Sequence, residues 1–125
     1  MADQGKGDGT FLRVRGSWTG SPMKLEKIDT VIARRTFEAT DGREVEIILG
    51  APQPFPDGQD YFCPFQINGL GDSKVRYAGG IDSYQALVLA LKMLTVYVLT
   101  RDEVKRGEVQ WLDGSDAELG LLSVL

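Results

Sequence analysis

Few side chains in this 125-residue sequence are suited to chemistry, and histidine is not among them. Without imidazole the chain lacks the usual general base near neutral pH, the commonest metal ligand, and any Ser/His or Cys/His nucleophile pair. The single cysteine, Cys63, could act as a nucleophile only if a neighbouring cation lowered its pKa. Its alternation with Tyr61, Phe65 and Ile67 places it instead on the apolar face of a strand, where cysteine packs as a small hydrophobe. Asp57 and Asp60 bracket Gly58 and Gln59 in a proline-rich stretch. Two carboxylates so placed can share a proton or hold a hard cation. No third ligand follows at a calcium-loop spacing, however, and Asp and Gly are ordinary turn residues. Gly79 and Gly80 precede a helix start, where bare amides can approach an anion, but Asp82 is expected to fill that position as the helix cap. Gly69-Leu70-Gly71 and Gly5-Lys6-Gly7 lie outside any strand-to-helix phosphate motif. The expectation is no catalytic residue, no metal and no cofactor, with the chain leaning away from enzymes.

Charge and composition narrow the partners. Fourteen basic against eighteen acidic side chains leave a net charge of −4, so no positive field favours nucleic acid. Glu108, Asp113, Asp116 and Glu118 follow Gly107 with no Lys or Arg among them, an acidic segment that suits either solubility or a basic partner. One cysteine excludes an internal disulfide, and residues 1–10 lack the apolar stretch of a secretory signal, which together predict a cytoplasmic protein. With 42% apolar and 26% charged residues, the chain is expected to fold as one domain.

The elements that would position these residues follow from periodicity. Residues 1–9 have no hydrophobic period and are expected to be disordered. A short strand is expected at 10–18, where Leu12 and Val14 alternate with Arg13 and Arg15, followed by a linker at 16–22. Residues 1–22 thus read as a flexible extension and 23–125 as the domain, with Met23 a second candidate start. In 30–40, Val31, Ala33, Phe37 and Ala39 share one face, and in 43–50 Val45, Ile47 and Leu49 do so. A two-residue Asp41-Gly42 turn would oppose Phe37 to Glu46 and split the apolar faces. A three-residue loop with left-handed Gly42 opposes Phe37 to Val45 and Ala33 to Leu49, and is the predicted form.

Residues 51–60 contain three prolines and read as a loop. A third strand carries Tyr61, Cys63, Phe65 and Ile67, with Pro64 implying an edge or bulged position, and a fourth carries Val75 and Tyr77. Asp82-Ser83-Tyr84-Gln85 matches a capping box, and Gly107 marks the predicted helix end, with a break near Thr100 as the alternative. Lys92 near the centre, the flanking charges and the amphipathic sheet before it argue for a core helix over a membrane span. Ser115-Asp116-Ala117-Glu118 matches a second capping box, with room for one turn before Gly120. The predicted architecture is α+β: a four-stranded antiparallel meander packed on one long apolar helix, then a short strand or turn. One sheet covers only one side of so apolar a helix. The other side needs the N-terminal segment, residues 109–112 or a second subunit.

Residues 32–122 resemble a family of small uncharacterised bacterial domains, through Ile32-Ala33-Arg34-Arg35, Leu49-Gly50-Ala51-Pro52, Asp60-Tyr61-Phe62-Cys63, Ile67-Asn68-Gly69, Gly80-Ile81-Asp82-Ser83-Tyr84-Gln85-Ala86-Leu87 and Glu118-Leu119-Gly120-Leu121-Leu122. The resemblance implies a bacterial, cytosolic setting and carries no activity. Phe55, Phe62, Trp18 and Trp111 fall outside the apolar strand phases, as interface anchors or as cover for the core. The expected function is a non-enzymatic protein-binding module, immunity-like or regulatory, using Phe55, Asp57, Asp60, Tyr61, Phe62 and Trp111. Two alternatives stand beside it. One is an enzyme or small-ligand binder built on Asp57, Asp60, Tyr61 and Asp82; the other is a homo-oligomer joined through the second face of the helix.

Overall fold

The computed structural model describes residues 23–122, so the strand expected at 10–18 and the linker after it lie outside the described residues. The chain order is β1 Val31–Ala39, β2 Glu44–Gly50, β3 Gln53–Pro54, β4 Tyr61–Asn68, β5 Arg76–Gly80, α1 Ser83–Leu99, α2 Asp102–Lys105 and β6 Val109–Gln110. The predicted meander is present as β1, β2, β4 and β5, all antiparallel neighbours in that order. The described residues hold six strands rather than four, because β3 and β6 are two-residue pairings too short to show a period.

The first hairpin has the expected register, Phe37 opposite Val45 and Ala33 opposite Leu49. Gly42 takes φ +90°, which closes the three-residue loop. Residues 51–60 are more ordered than a loop. After Leu49 pairs with Phe65, the ladder resumes with Gln53 opposite Phe62, so four residues along β2–β3 are set against three along β4. Pro64 falls opposite this irregularity, where a strand can lack a ladder donor without losing a bond. The tip closes where the Phe55 amide donates to the Asp60 carbonyl at 2.8 Å.

The sheet is buried on both faces around β4, where Phe62, Cys63, Pro64 and Phe65 are consecutively buried. On one face, Cys63, Phe65 and Ile67 meet Ala86, Ala90, Leu94 and Val98 of α1. On the other, Phe55, Phe62 and Tyr77 pack ring to ring, with centroids 5.3–6.0 Å apart, beneath Met23 and Leu25. Met23 and Leu25, before β1, thus cover the back of the sheet and not the helix.

Asp82 caps α1 as predicted, accepting from the Gln85 amide at 2.7 Å, while the Gln85 side chain reaches past the cap to the Ile81 amide at 2.8 Å. The helix stops at Leu99 and not at Gly107. Thr100 turns its hydroxyl back to the Val96 carbonyl at 2.7 Å, and Arg101 is extended with its guanidinium stacked 3.9 Å from the centre of the Tyr97 ring. Gly107 instead follows the single turn of α2. The second capping box makes no helix either: Asp116 accepts from the amides of Glu118 and Gly120 and holds a tight turn. Among the described residues no helix is long and apolar enough to cross a membrane.

Gly79 and Gly80 belong to β5, and a Cβ on Gly80 would stand 2.5 Å from the Ala86 amide nitrogen. The pair is there for close approach of strand to helix. Gly80→Ala is expected to lower stability by about 2 kcal/mol through overpacking, read as a lower midpoint in urea unfolding monitored by circular dichroism.

Candidate functional site

The residues expected to form a binding surface do not converge. Phe55 and Phe62 lie in the back core, 3% and 5% exposed. Asp60 is 1% exposed, while Asp57 is exposed and accepts from the Gln59 amide at 2.9 Å, a turn contact. Phe55, Asp57, Asp60 and Tyr77 are all engaged with partners. Tyr61 packs partly buried against the main core, and Trp111 stands at the far edge of the sheet, beyond β1. Asp82 is occupied as the cap. No cluster of three or more His, Cys, Asp or Glu among the described residues is placed to hold a metal.

Cys63 is fully buried, its thiol 3.3 Å from the Gly50 carbonyl, and burial pushes its pKa up to about 12. A thiol so placed is not a nucleophile at neutral pH. The acidic C-terminal segment is likewise committed to local structure. Ser115 hydrogen-bonds Asp113 and holds its carboxyl below the usual range, and Arg106 does the same for Glu108 at 2.8 Å.

A site that the sequence did not reveal lies between α1 and the β1–β2 half of the sheet. Because α1 packs across β4 and β5 and touches only the margin of β2, the inner face at β1 needs another cover. The residues after β6 supply part of it. Arg35 donates to the carbonyls of Leu119 and Gly120 at 3.2 and 3.0 Å, and its guanidinium lies 3.8 Å from the centre of the Trp111 ring. Trp111 in turn packs so closely on Gly120 that a Cβ there would overlap the indole. Trp111 is therefore part of a clamp that holds the C-terminal segment, with Leu119 buried beneath it.

Cover remains incomplete. Ala33, Ile47, Leu49, Leu91, Leu94 and Leu121 line an open apolar groove of about 210 Å³, bordered by Arg34, Arg35, Thr95, Gly120 and Leu122. Beside it runs a strand edge. Strand β6 pairs with β1 only at Glu38 and Ala39, so the outer edge from Val31 to Phe37 carries no partner strand among the described residues. Ile32, skipped in the β1–β2 register, is 49% exposed there. A sequence signal existed in small Ala33 facing an over-apolar helix, but periodicity cannot show which strands a helix lies across. A second, polar hollow of about 300 Å³ adjoins the β1–β2 turn, where Arg43 is already taken by Asp41 and the Gly69 carbonyl.

With no histidine and a shielded thiol, stability should be flat between about pH 6 and 8. It should fall as acid protonates Asp72, held low by Arg76, together with Glu108 and Asp113. Groups with depressed folded pKa values stabilise above their unfolded pKa and lose that contribution as pH drops through the folded value. Raised Cys63 acts oppositely, costing stability as pH climbs from 9.0 toward about 12. Urea midpoints across pH 2–11 check both arms. Ellman's reagent at pH 8 should find no reactive thiol until denaturant is added.

No curated protein and no solved structure matches the chain. A family model described as a domain of unknown function (DUF6968) matches residues 33–122, well over half of the sequence. It spans the first hairpin, β4, α1 and the clamped C-terminal segment, which together frame the groove. The chain belongs to the DUF6968 family, a domain of unknown function.

Proposed function

We propose that this domain is a non-enzymatic protein-binding module that receives an extended peptide of a partner along the free edge of β1. The observation that carries the reading is the juxtaposition of an unpaired strand edge with an apolar groove on the same strand's inner side. A strand added to a sheet edge gains main-chain hydrogen bonds for affinity, and alternate side chains reach pockets for specificity. Arg34 is paired with Glu46 at 3.1 Å, whereas Arg35, held by carbonyls and an aromatic ring and by no carboxylate among the described residues, brings its charge to the border of the groove, so the partner strand fits best with apolar residues alternating with acidic ones. The absence of any imidazole and the shielding of Cys63 support binding over catalysis.

Self-association through α1 has a specific observation in its favour, since Tyr84 is 75% exposed and Ile81 and Val96 also face outward. Lys92 stands exposed within the same stripe, near the middle of the helix, and a two-fold antiparallel contact would bring it against its own copy. That disfavours an α1–α1 dimer, and light scattering at micromolar concentration is expected to give the mass of a monomer.

Phage-displayed random peptides selected on the full-length chain test the main reading. Enriched sequences should alternate apolar and acidic residues and bind at least about tenfold more weakly to Ala33→Arg, which fills the groove from an exposed position, a loss of ~1.4 kcal/mol. Peptides that bind the variant equally well, or no enrichment, would refute it.

A further inference from the structure

We propose that the cluster of Arg76, Tyr97 and Arg101, beside the loop that joins β4 to β5, is a binding site for a phosphoryl group, separate from the groove at β1. Three elements meet there: the start of β5, the last turn of α1 and the loop itself. The helix break at Thr100 sets the geometry, because extended Arg101 turns its side chain back over Tyr97. Its guanidinium lies 3.9 Å, and that of Arg76 4.4 Å, from the centre of the one ring. Gly71, at φ +65°, borders the same place, and a Cβ there would stand 3.3 Å from both Arg101 Nη1 and the Tyr97 hydroxyl. Glycine keeps that corner clear. Residues 71–74 are exposed, so the cluster opens to solvent on their side.

The cluster holds more positive charge than it neutralises. Arg76 is paired with Asp72 through both guanidinium nitrogens, at 3.1 and 3.3 Å. Arg101 has no carboxylate partner among the described residues, although Asp102 and Glu103 follow it directly. Its Nε is buried and donates to no acceptor there, a costly state that a bound oxyanion relieves. Lys74 adds a further cation: after the stronger hold of Arg76, its charge helps keep the Asp72 carboxyl below the usual range. One carboxylate against three cations leaves two positive charges, which a phosphate dianion matches and a single carboxylate does not. The two guanidiniums and the phenol hydroxyl reach the corner from different elements, so they suit a tetrahedral group with three acceptor oxygens better than a planar one.

Inorganic phosphate and phenyl phosphate, each titrated into the full-length isotope-labelled chain at constant pH and ionic strength, test the site by NMR. The amide signals of 71–74 and the Arg101 Nε–H signal should shift and saturate, with acetate binding at least about tenfold more weakly. Tighter binding of phenyl phosphate would make an organic phosphate the natural source, and tighter binding of inorganic phosphate the free ion. Arg101→Gln should weaken phosphate binding at least about tenfold. Lys74→Gln, an exposed change that leaves the packing alone, should weaken it several-fold. Asp72→Asn keeps an acceptor for the Lys74 amide and frees Arg76, so it should bind phosphate several-fold more tightly, a gain that a purely structural cluster would not show. Shifts that chloride or acetate reproduces, shifts that never saturate, or affinity unchanged in Lys74→Gln and Asp72→Asn would each overturn the proposal.

Discussion

Burial of β4 on both faces is the constraint around which the rest of the molecule is arranged. Four consecutive buried residues, Phe62 to Phe65, cannot be satisfied by one layer, because successive side chains point to opposite sides of a sheet. One side takes α1, brought close where Ala86 passes over Gly80, and the other takes residues 23–30. Gly50 marks how tight the second cover is, since a Cβ there would fall 2.6 Å from Ile28 and 2.7 Å from the Pro64 ring. The bend between β2 and β3 serves the same end, carrying Phe55 onto the back core beside Phe62.

Placing the helix over β4 and β5 has a cost at the opposite margin. The inner face of β1 loses its cover, and the chain answers with a segment that has almost no regular structure. Burial of Leu119 anchors that segment, and the Arg35 guanidinium, two backbone carbonyls and the Trp111 ring clamp it from outside. Cation–π contacts of this kind contribute about 0.5–1 kcal/mol at exposed sites, so the clamp is modest and the groove beside it stays open. The docking surface we propose lies where the packing is least complete.

Much of the scaffold was legible in the sequence. Alternation at Phe37, Val45 and Leu49 and the demand that both apolar faces coincide were enough to choose the turn and the register. Asp82 and Gln85 announced the helix start. Of the two helix ends the sequence offered, the break near Thr100 is the one present; Gly107 and the basic residues before it are genuine stop signals, but they belong to the single turn of α2 that follows. The candidate site was much less legible. Phe55 and Phe62 looked like surface anchors because the second layer over the sheet comes from residues 23–30, whose sequence shows no period. The groove depends on which strands α1 crosses, a tertiary choice that local pattern does not encode.

Native-state hydrogen exchange, resolved residue by residue by NMR, tests the two-faced core and its open margin together. The account predicts that β4 amides exchange only through global unfolding, and that every second amide from Val31 to Phe37, those facing away from β2, exchanges orders of magnitude faster through local opening. Outward β1 amides as protected as those of β4 would show that the edge is already paired, and would contradict both the open groove margin and the docking surface assigned to it.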